Sequence, residues 1–416
     1  VISRASSRAA RTYRGWSDPL HPLSSRISHW SPAARVFFFA VWVLLAHGCS
    51  RTGTAAPPNV FIAISDDQSW PHTSAYGSRM VRTPTFDRIA REGVLFTNAF
   101  CASPGCSPSR AALLTGLNTW QLAHAGTHAS WFDPKFVTFP DRLRSAGYHV
   151  GYAGKGWGPG DYEALGRTSN PAGESYPVRS RPDGGRDYAA AFLEFLRARE
   201  EGQPFCFWFG SSDPHRSFEK GSGTASGKLL ANADVPSFLP DSPTIRSDLL
   251  DYSIEVERFD TDLAQMLSIL ESNGDLENTL LIVTSDNGMP FPRAKANCYE
   301  YGIHVPLAVR WANHTETGRR VEELVGFTDL TATIYDVTGV EPPPEFQQEG
   351  FSSRDLLDSQ AAKSESKERS AVYSARERHS SSRFNSLSYP QRAIRTKQFL
   401  YIRNFTPERW PAGTPQ

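Results

Sequence analysis

The 416-residue chain is poor in cysteine and methionine, with five and three, and carries no excess charge: Lys plus Arg and Asp plus Glu stand at 44 each. Balanced charge gives no bulk electrostatic reason for a nucleic-acid or membrane-surface partner, so no nucleic acid is expected to bind. Cys101, Cys106, Cys206 and Cys298 have neither zinc-site spacing nor the density of a disulfide-stapled small domain. Cys206 lies inside an apolar run and reads as core. There is no internal repeat. A long hydrophobic run is also missing, because the stretch Val36–Ala46 is too short to span a bilayer comfortably.

What precedes that stretch gives it a meaning. Residues 1–35 contain arginines but no Lys or Glu, then the apolar run follows and ends in small residues. This is the pattern of a cleaved export signal, so residues 1–50 read as signal and linker, and the mature protein is expected in the periplasm or cell envelope. Ala46-His47-Gly48-Cys49 also resembles a lipoprotein cleavage site, which makes a lipid anchor at Cys49 a second reading.

The length exceeds what one hydrophobic core usually fills, so a large domain with a smaller companion is expected. Asn59–Ser65 is a continuous apolar run typical of a strand buried on both faces, and similar runs recur at 148–153, 204–210, 279–284 and 305–311. Helical patterns lie between them, at Thr85–Glu92, Ser107–Thr115, Asp187–Glu200 and 246–272. The alternation predicts an α/β fold with a large, mostly parallel central sheet over 59–351. A polar segment, Ser352–Ser370, leads to strand-like runs within 371–416, read as the start of a smaller α+β subdomain. Two Gly-, Ser- and Pro-rich stretches, 156–186 and 211–245, are long enough to be functional loops.

In open α/β sheets ligands bind at the carboxyl ends of the strands. Four of the runs end in chemistry: Asp66-Asp67, Lys155, Asp213-Pro214-His215-Arg216 and Asp286-Asn287-Gly288. Asp66, Asp67, Asp286 and Asn287 form an oxygen-only set that suits a hard divalent cation, calcium, with magnesium as the alternative. Beside it, Cys106 opens a helix whose unpaired N–H groups favour an anion. Arg110 lies one turn further on, Lys155 and Lys295 offer point charges, and His215 can serve as an acid.

The phrase Cys106–Gly116 (CSPSRAALLTG), with Ser65-Asp66-Asp67, Thr83-Pro84 and Asp87, Gly154-Lys155, Asp213-Pro214-His215, Ser285–Gly288, and Thr328-Asp329-Leu330 with Asp336, resembles the type I sulfatases of the alkaline phosphatase superfamily. The resemblance runs over roughly 59–405. Asp213–Arg216, Asp286–Pro292 with Asn297, and Ser388-Tyr389-Pro390 with Arg392 are similar to the heparan N-sulfatase (sulfamidase) branch.

The resemblance implies that Cys106 is oxidised to formylglycine by a formylglycine-generating enzyme, and that Cys106, Pro108 and Arg110 form the recognition signal for it. It implies a calcium site from Asp66, Asp67, Asp286, Asn287 and residue 106. Arg110, Lys155, His215 and Lys295 would bind sulfate or assist catalysis, and His215 would be the general acid. The implied substrate is a sulfated saccharide, foremost the N-sulfate of glucosamine in heparin or heparan fragments. Alternatives are an O-sulfatase on another glycan, a phosphoester or phosphonate hydrolase, and a non-catalytic glycan-binding relative. His128, Arg216, Glu377, His379 and Arg392 are the candidate substrate contacts. Two departures stand out: Trp157 replaces a His expected two residues after Lys155, and the chain stops at Gln416 where relatives continue.

Overall fold

The run Asn59–Ser65 forms strand β1, and all seven of its residues are buried. Successive side chains point to opposite faces, so Val60, Ile62 and Ile64 enter one apolar layer while Phe61 and Ala63 enter another. A strand covered on both sides needs apolar residues at every position, which is why the run is unbroken. The structure, a computed structural model, describes residues 56–414 apart from 182–184, 346–347 and 358–368. The expected export segment and Cys49 lie outside the described residues. Among those described, no helix is long and apolar enough to cross a membrane.

The sheet around β1 also contains β2 (Val94–Phe96), β3 (His149–Gly154), β4 (Glu174–Tyr176), β5 (Phe205–Gly210), β6 (Thr279–Ser285), β7 (Leu307–Arg310) and β8 (Arg319–Val321). Their spatial order is β8-β2-β7-β6-β1-β5-β3-β4. β1 runs parallel to its neighbours β5 and β6, whereas β7 opposes both strands it pairs with. The sheet is therefore mostly parallel, as expected.

Five helices matter for the site: α1 (Pro84–Glu92), α2 (Cys106–Thr115), α3 (Tyr188–Ala198), α4 (Pro243–Ser272) and α5 (Phe327–Thr338). Ala112 and Leu113 of α2 and Leu330 and Ile334 of α5 fill one face of the sheet, while Phe192 of α3 and Phe259 and Leu263 of α4 fill the other. α2 stops at Gly116, whose φ of 72° lets its N–H return to the carbonyl of Ala112. α4 begins three residues before the 246 expected from periodicity, because the Ser242 hydroxyl accepts from Ile245 N–H and Pro243 fits the first turn. α5 was not legible in the sequence. Its Thr-rich, β-branched composition is a weak helix former, and packing against α2 overrides that preference.

The C-terminal residues fold as an antiparallel meander, β9 (Val372–Arg376), β10 (Gln391–Arg395) and β11 (Leu400–Asn404). The strand-like runs expected within 371–416 are thus three strands, the last two separated by a turn in which Thr396 N–H donates to Phe399 carbonyl. Glu300 ties this sheet to the main body: Arg395 Nε lies 2.9 Å from one of its oxygens and His304 Nδ1 lies 3.1 Å from the other. Burial raises the Glu300 carboxyl, but the bonds from His304 and Arg395 outweigh it and hold it down to about 2. A depressed carboxylate stabilises the fold above its unfolded value of 4.5, and that contribution disappears as pH falls toward 2. Glu300→Gln is therefore expected to lose about 1 kcal/mol at neutral pH, after allowance for solvent screening. Denaturant titrations of mutant and wild type should converge as pH drops through that window.

Candidate active site

β6, β1, β5 and β3 are adjacent, and their carboxyl ends deliver Asp286-Asn287, Asp66-Asp67, Ser211–His215 and Lys155 to one edge. The backbone ladder continues past the strands and fixes these residues. Asp66 N–H donates to Asp213 carbonyl at 2.9 Å, and Asp286 N–H to Ser65 carbonyl at 3.1 Å. Asp67 adopts a φ of 73°, a left-handed conformation that Asp tolerates, and its N–H donates to Asp286 Oδ1 at 3.1 Å.

Cys106 is the first residue of α2 and completes this cluster. Asp66, Asp67, Cys106 and Asp286 are all buried, and one ligand atom from each lies within 4.8 Å of the others. Cys106 Sγ is 3.5 Å from Asp66 Oδ1 and 4.0 Å from Asp67 Oδ1. Asn287 Nδ2 donates to Asp67 Oδ1 at 2.8 Å, while its own Oδ1 is buried without a hydrogen-bond partner among the described residues. A buried amide oxygen left unsatisfied beside three carboxylates is accounted for by a cation. The residues present therefore fit a metal ion.

Each carboxylate also meets a positive group. Lys155 Nζ lies 2.6 Å from Asp66 Oδ2, Lys295 Nζ 2.6 Å from Asp67 Oδ2, and Arg110 Nε 2.8 Å from Asp286 Oδ2. Burial raises the Asp66 carboxyl, but the Lys155 ammonium, with Arg110 and Lys295 behind it, holds it below the usual value. Burial works against the charge on Lys155 and Lys295, yet the surrounding anions raise both above the ordinary lysine range. Burial pushes the Cys106 thiol up to about 12, so the side chain as encoded is neutral at physiological pH and a poor nucleophile. Arg110 is fully enclosed. Its Nη1 donates to the carbonyls of Lys155 and Gly156 at 2.7 and 3.2 Å, and its Nη2 has no partner among the described residues. It thus braces Asp286 and the end of β3 while keeping one N–H group for a bound oxygen.

His215 stands at the rim, half-exposed. Its Nε2 is 3.8 Å from Asp67 Oδ2, and its Nδ1 is 2.6 Å from the Arg216 carbonyl. His128 and His379 stack with ring centroids 3.9 Å apart. Both rings lie beside Gly105, where an added Cβ would sit 3.3 Å from His379 Nδ1 and 3.4 Å from His128 Cδ2. Burial holds His379 down to about 3 and depresses His128 as well, with nearby Lys295 contributing to both, so the pair is neutral.

The other expected contacts are placed differently. Arg216 forms a two-pronged pair with Asp248, so its guanidinium is engaged outside the carboxylate cluster. Glu377 and Arg392 pair with each other, and Arg392 also lies over Trp120 at 5.8 Å. Trp157 is buried: its indole N–H donates to Ser107 carbonyl at 3.0 Å and its ring meets Phe132 edge-on at 5.1 Å. The position expected to carry a His toward the site is therefore filled by a side chain that supports the first turn of α2. Sequence reading missed Ser380, whose hydroxyl pairs with His128 Nδ1 at 2.8 Å, and Asp248, because neither sits in a motif.

Comparison with known proteins agrees with this geometry. Residues 58–340 match the Sulfatase family model, and residues 294–411 match that for the C-terminal region of N-sulphoglucosamine sulphohydrolase. The chain is 30% identical over 400 residues to human N-sulphoglucosamine sulphohydrolase, covering 87% of this chain and 76% of the relative. It is 24% identical over 401 residues to an ulvan-active sulfatase of Formosa agariphila, covering 85% of this chain and 61% of that protein, so it spans about three fifths of that relative's length. A solved structure in complex with D-glucosamine-2-N,6-O-disulfate has the same fold, with a TM-score of 0.66 and 20% identity over 84% of this chain and 89% of that one. With the Sulfatase model matched across residues 58–340 and the metal-fitting cluster assembled around Cys106, the chain belongs to the sulfatase family and is a sulfuric ester or sulfamate hydrolase.

Proposed function

We propose that the protein is a formylglycine-dependent sulfatase that removes the N-sulfate of glucosamine from heparin or heparan fragments outside the cytoplasm. The observation that carries this choice of substrate is His379. It lies in the segment matched by the N-sulphoglucosamine sulphohydrolase C-terminal model, and its ring occupies the space beside Gly105 that a side chain there would need, one residue before Cys106. The part of the chain with the most specific likeness therefore walls the reactive residue. The likeness to the human sulphohydrolase supports the same reading.

Formylglycine at 106, installed by a formylglycine-generating enzyme, supplies as its hydrate the oxygen nucleophile that the neutral thiol does not. Asp66, Asp67, Asp286 and Asn287 Oδ1 would hold calcium, or magnesium as the alternative, and the ion would supply positive charge to the sulfate. The protein's own groups do the rest. Lys155 and Lys295 bring two ammonium groups to the carboxylate cluster, and Arg110 Nη2 adds a fixed donor. His215 Nε2 faces the same cluster and gives a proton to the departing nitrogen, so that a neutral amine leaves, a contribution of about 10²- to 10⁴-fold. His128 and His379, both neutral, bound the site beside Gly105 without adding charge.

The test has two parts. After co-expression with a formylglycine-generating enzyme, the tryptic peptide containing residue 106 should show the mass of the aldehyde. The matured protein should then hydrolyse N-sulfoglucosamine with a kcat/KM at least about tenfold above that for glucosamine 6-O-sulfate. The reverse ratio would establish the O-sulfatase reading, which the likeness to an ulvan-active sulfatase favours. Turnover of aryl phosphates ahead of aryl sulfates would replace both with the phosphoester reading.

A further inference from the structure

His215 is half-exposed, so packing alone does not hold its ring. The polar contact that orients it is the 2.6 Å bond between Nδ1 and the carbonyl of Arg216. A carbonyl only accepts, so Nδ1 donates its N–H to it, and Nε2 is left as the ring atom facing Asp67. The ring is therefore only as well placed as the backbone of residue 216.

That backbone is anchored through its own side chain. Arg216 Nη1 donates to Asp248 Oδ1 at 3.0 Å, Nη2 donates to Asp248 Oδ2, and Nε donates to Pro290 carbonyl at 2.9 Å. The guanidinium carbon lies 4.6 Å from the Phe218 ring centroid and 4.7 Å from that of Phe291. Asp248 sits on α4, in the turn before the fully buried Leu249 and Leu250. Pro290 and Phe291 belong to the loop that begins with Asp286 and Asn287. A rigid helix and the carboxylate-bearing loop thus grip one side chain, and that residue's carbonyl fixes the imidazole.

We propose that Asp248 and Arg216 are positioning residues that set the tautomer and direction of His215, and that Arg216 does not contact the substrate. The inference rests on the sulfatase reading with His215 as the acid. In the assisted step sulfur gains a bond to the nucleophilic oxygen at residue 106 as its bond to nitrogen breaks, the electron pair of the broken bond stays on nitrogen, and the proton arrives from Nε2. A ring turned away cannot deliver that proton, but it leaves sulfate binding untouched.

Asp248→Asn removes the carboxylate at nearly constant volume. On N-sulfoglucosamine, kcat should fall about tenfold with KM changed by less than about twofold. On 4-nitrophenyl sulfate, whose phenolate leaves without a proton, kcat should stay within about twofold of wild type. His215→Ala should show the same selectivity in larger measure, and adding Asp248→Asn to it should cost nothing more. Ring ¹⁵N spectra provide a readout that needs no substrate: wild-type His215 should hold its neutral-state proton on Nδ1, and Asp248→Asn or Arg216→Gln should mix the tautomers.

Several results would overturn the proposal. Equal losses on both sulfates would mean general damage to the fold, and a raised KM at constant kcat would make Arg216 a substrate contact. A wild-type ring protonated on Nε2 alone would contradict the anchoring itself. Failure of the underlying reading looks different, because His215→Ala would then itself lack leaving-group selectivity before Asp248 is touched.

Discussion

Cys106→Ala is expected to reduce sulfate release by about 10⁶-fold, the scale reached when a covalent nucleophile is removed from a preorganised site. Its stability should change by only about 1 kcal/mol. Sγ makes no strong bond, only contacts of 3.5 and 4.0 Å with Asp66 and Asp67, and the helix it starts is held by other groups. Among those groups, Trp157 donates to Ser107 carbonyl and Ser107 Oγ accepts from Ala129 N–H at 3.1 Å. Rate and melting temperature measured on one preparation separate the two effects. Activity within about tenfold of wild type would show that residue 106 is not the nucleophile.

Asp286→Ala should produce the second large effect, and this one is structural as well as catalytic. Among the described residues Asp286 is the only carboxylate bonded to Arg110, whose side chain is wholly buried, and its Oδ1 receives the N–H of Asp67. Leaving that guanidinium unpaired is expected to cost about 3–5 kcal/mol. Wild type should gain about 2.7 kcal/mol when calcium stands at 100 times its dissociation constant, and the variant should gain nothing. Asn287→Leu provides the control, since it removes the unpaired Oδ1, together with the Nδ2 bond to Asp67, but spares the Arg110 pair. It should lose the calcium response while retaining more apo stability than Asp286→Ala, both read by differential scanning calorimetry. A calcium response unchanged in Asn287→Leu would place the ion elsewhere.

The strands that build the site were legible because burial on both faces demands unbroken apolar runs, and charged residues then mark where each strand emerges. Asp66, Asp67, Lys155, Asp286 and Asn287 were found in this way. Short strands such as Glu174–Tyr176 escaped because three largely exposed residues carry no period. The helix Phe327–Thr338 escaped because its β-branched residues argue locally for another conformation. Contacts between distant segments left no local trace at all. The stacking of His128 on His379 and the grip of Asp248 on Arg216 depend on where loops are brought by the whole fold. Arg216 shows the consequence. Its motif is visible in the sequence, whereas its bonds to Asp248 and the Pro290 carbonyl are not.

The burial of residues 106–110 sets an order of events. Cys106 is 1% exposed and Ser107, Ser109 and Arg110 are 0% exposed, all within a formed helix. An enzyme that reads this pentapeptide as an extended sequence cannot reach it once α2 has docked on the sheet. The proposed oxidation of Cys106 would therefore have to come first, while the chain is still unfolded, and a molecule that folded too early would be locked out of it. Faster folding would then lower the fraction of active protein, so the yield of aldehyde becomes a clock for how long the nascent chain stays open.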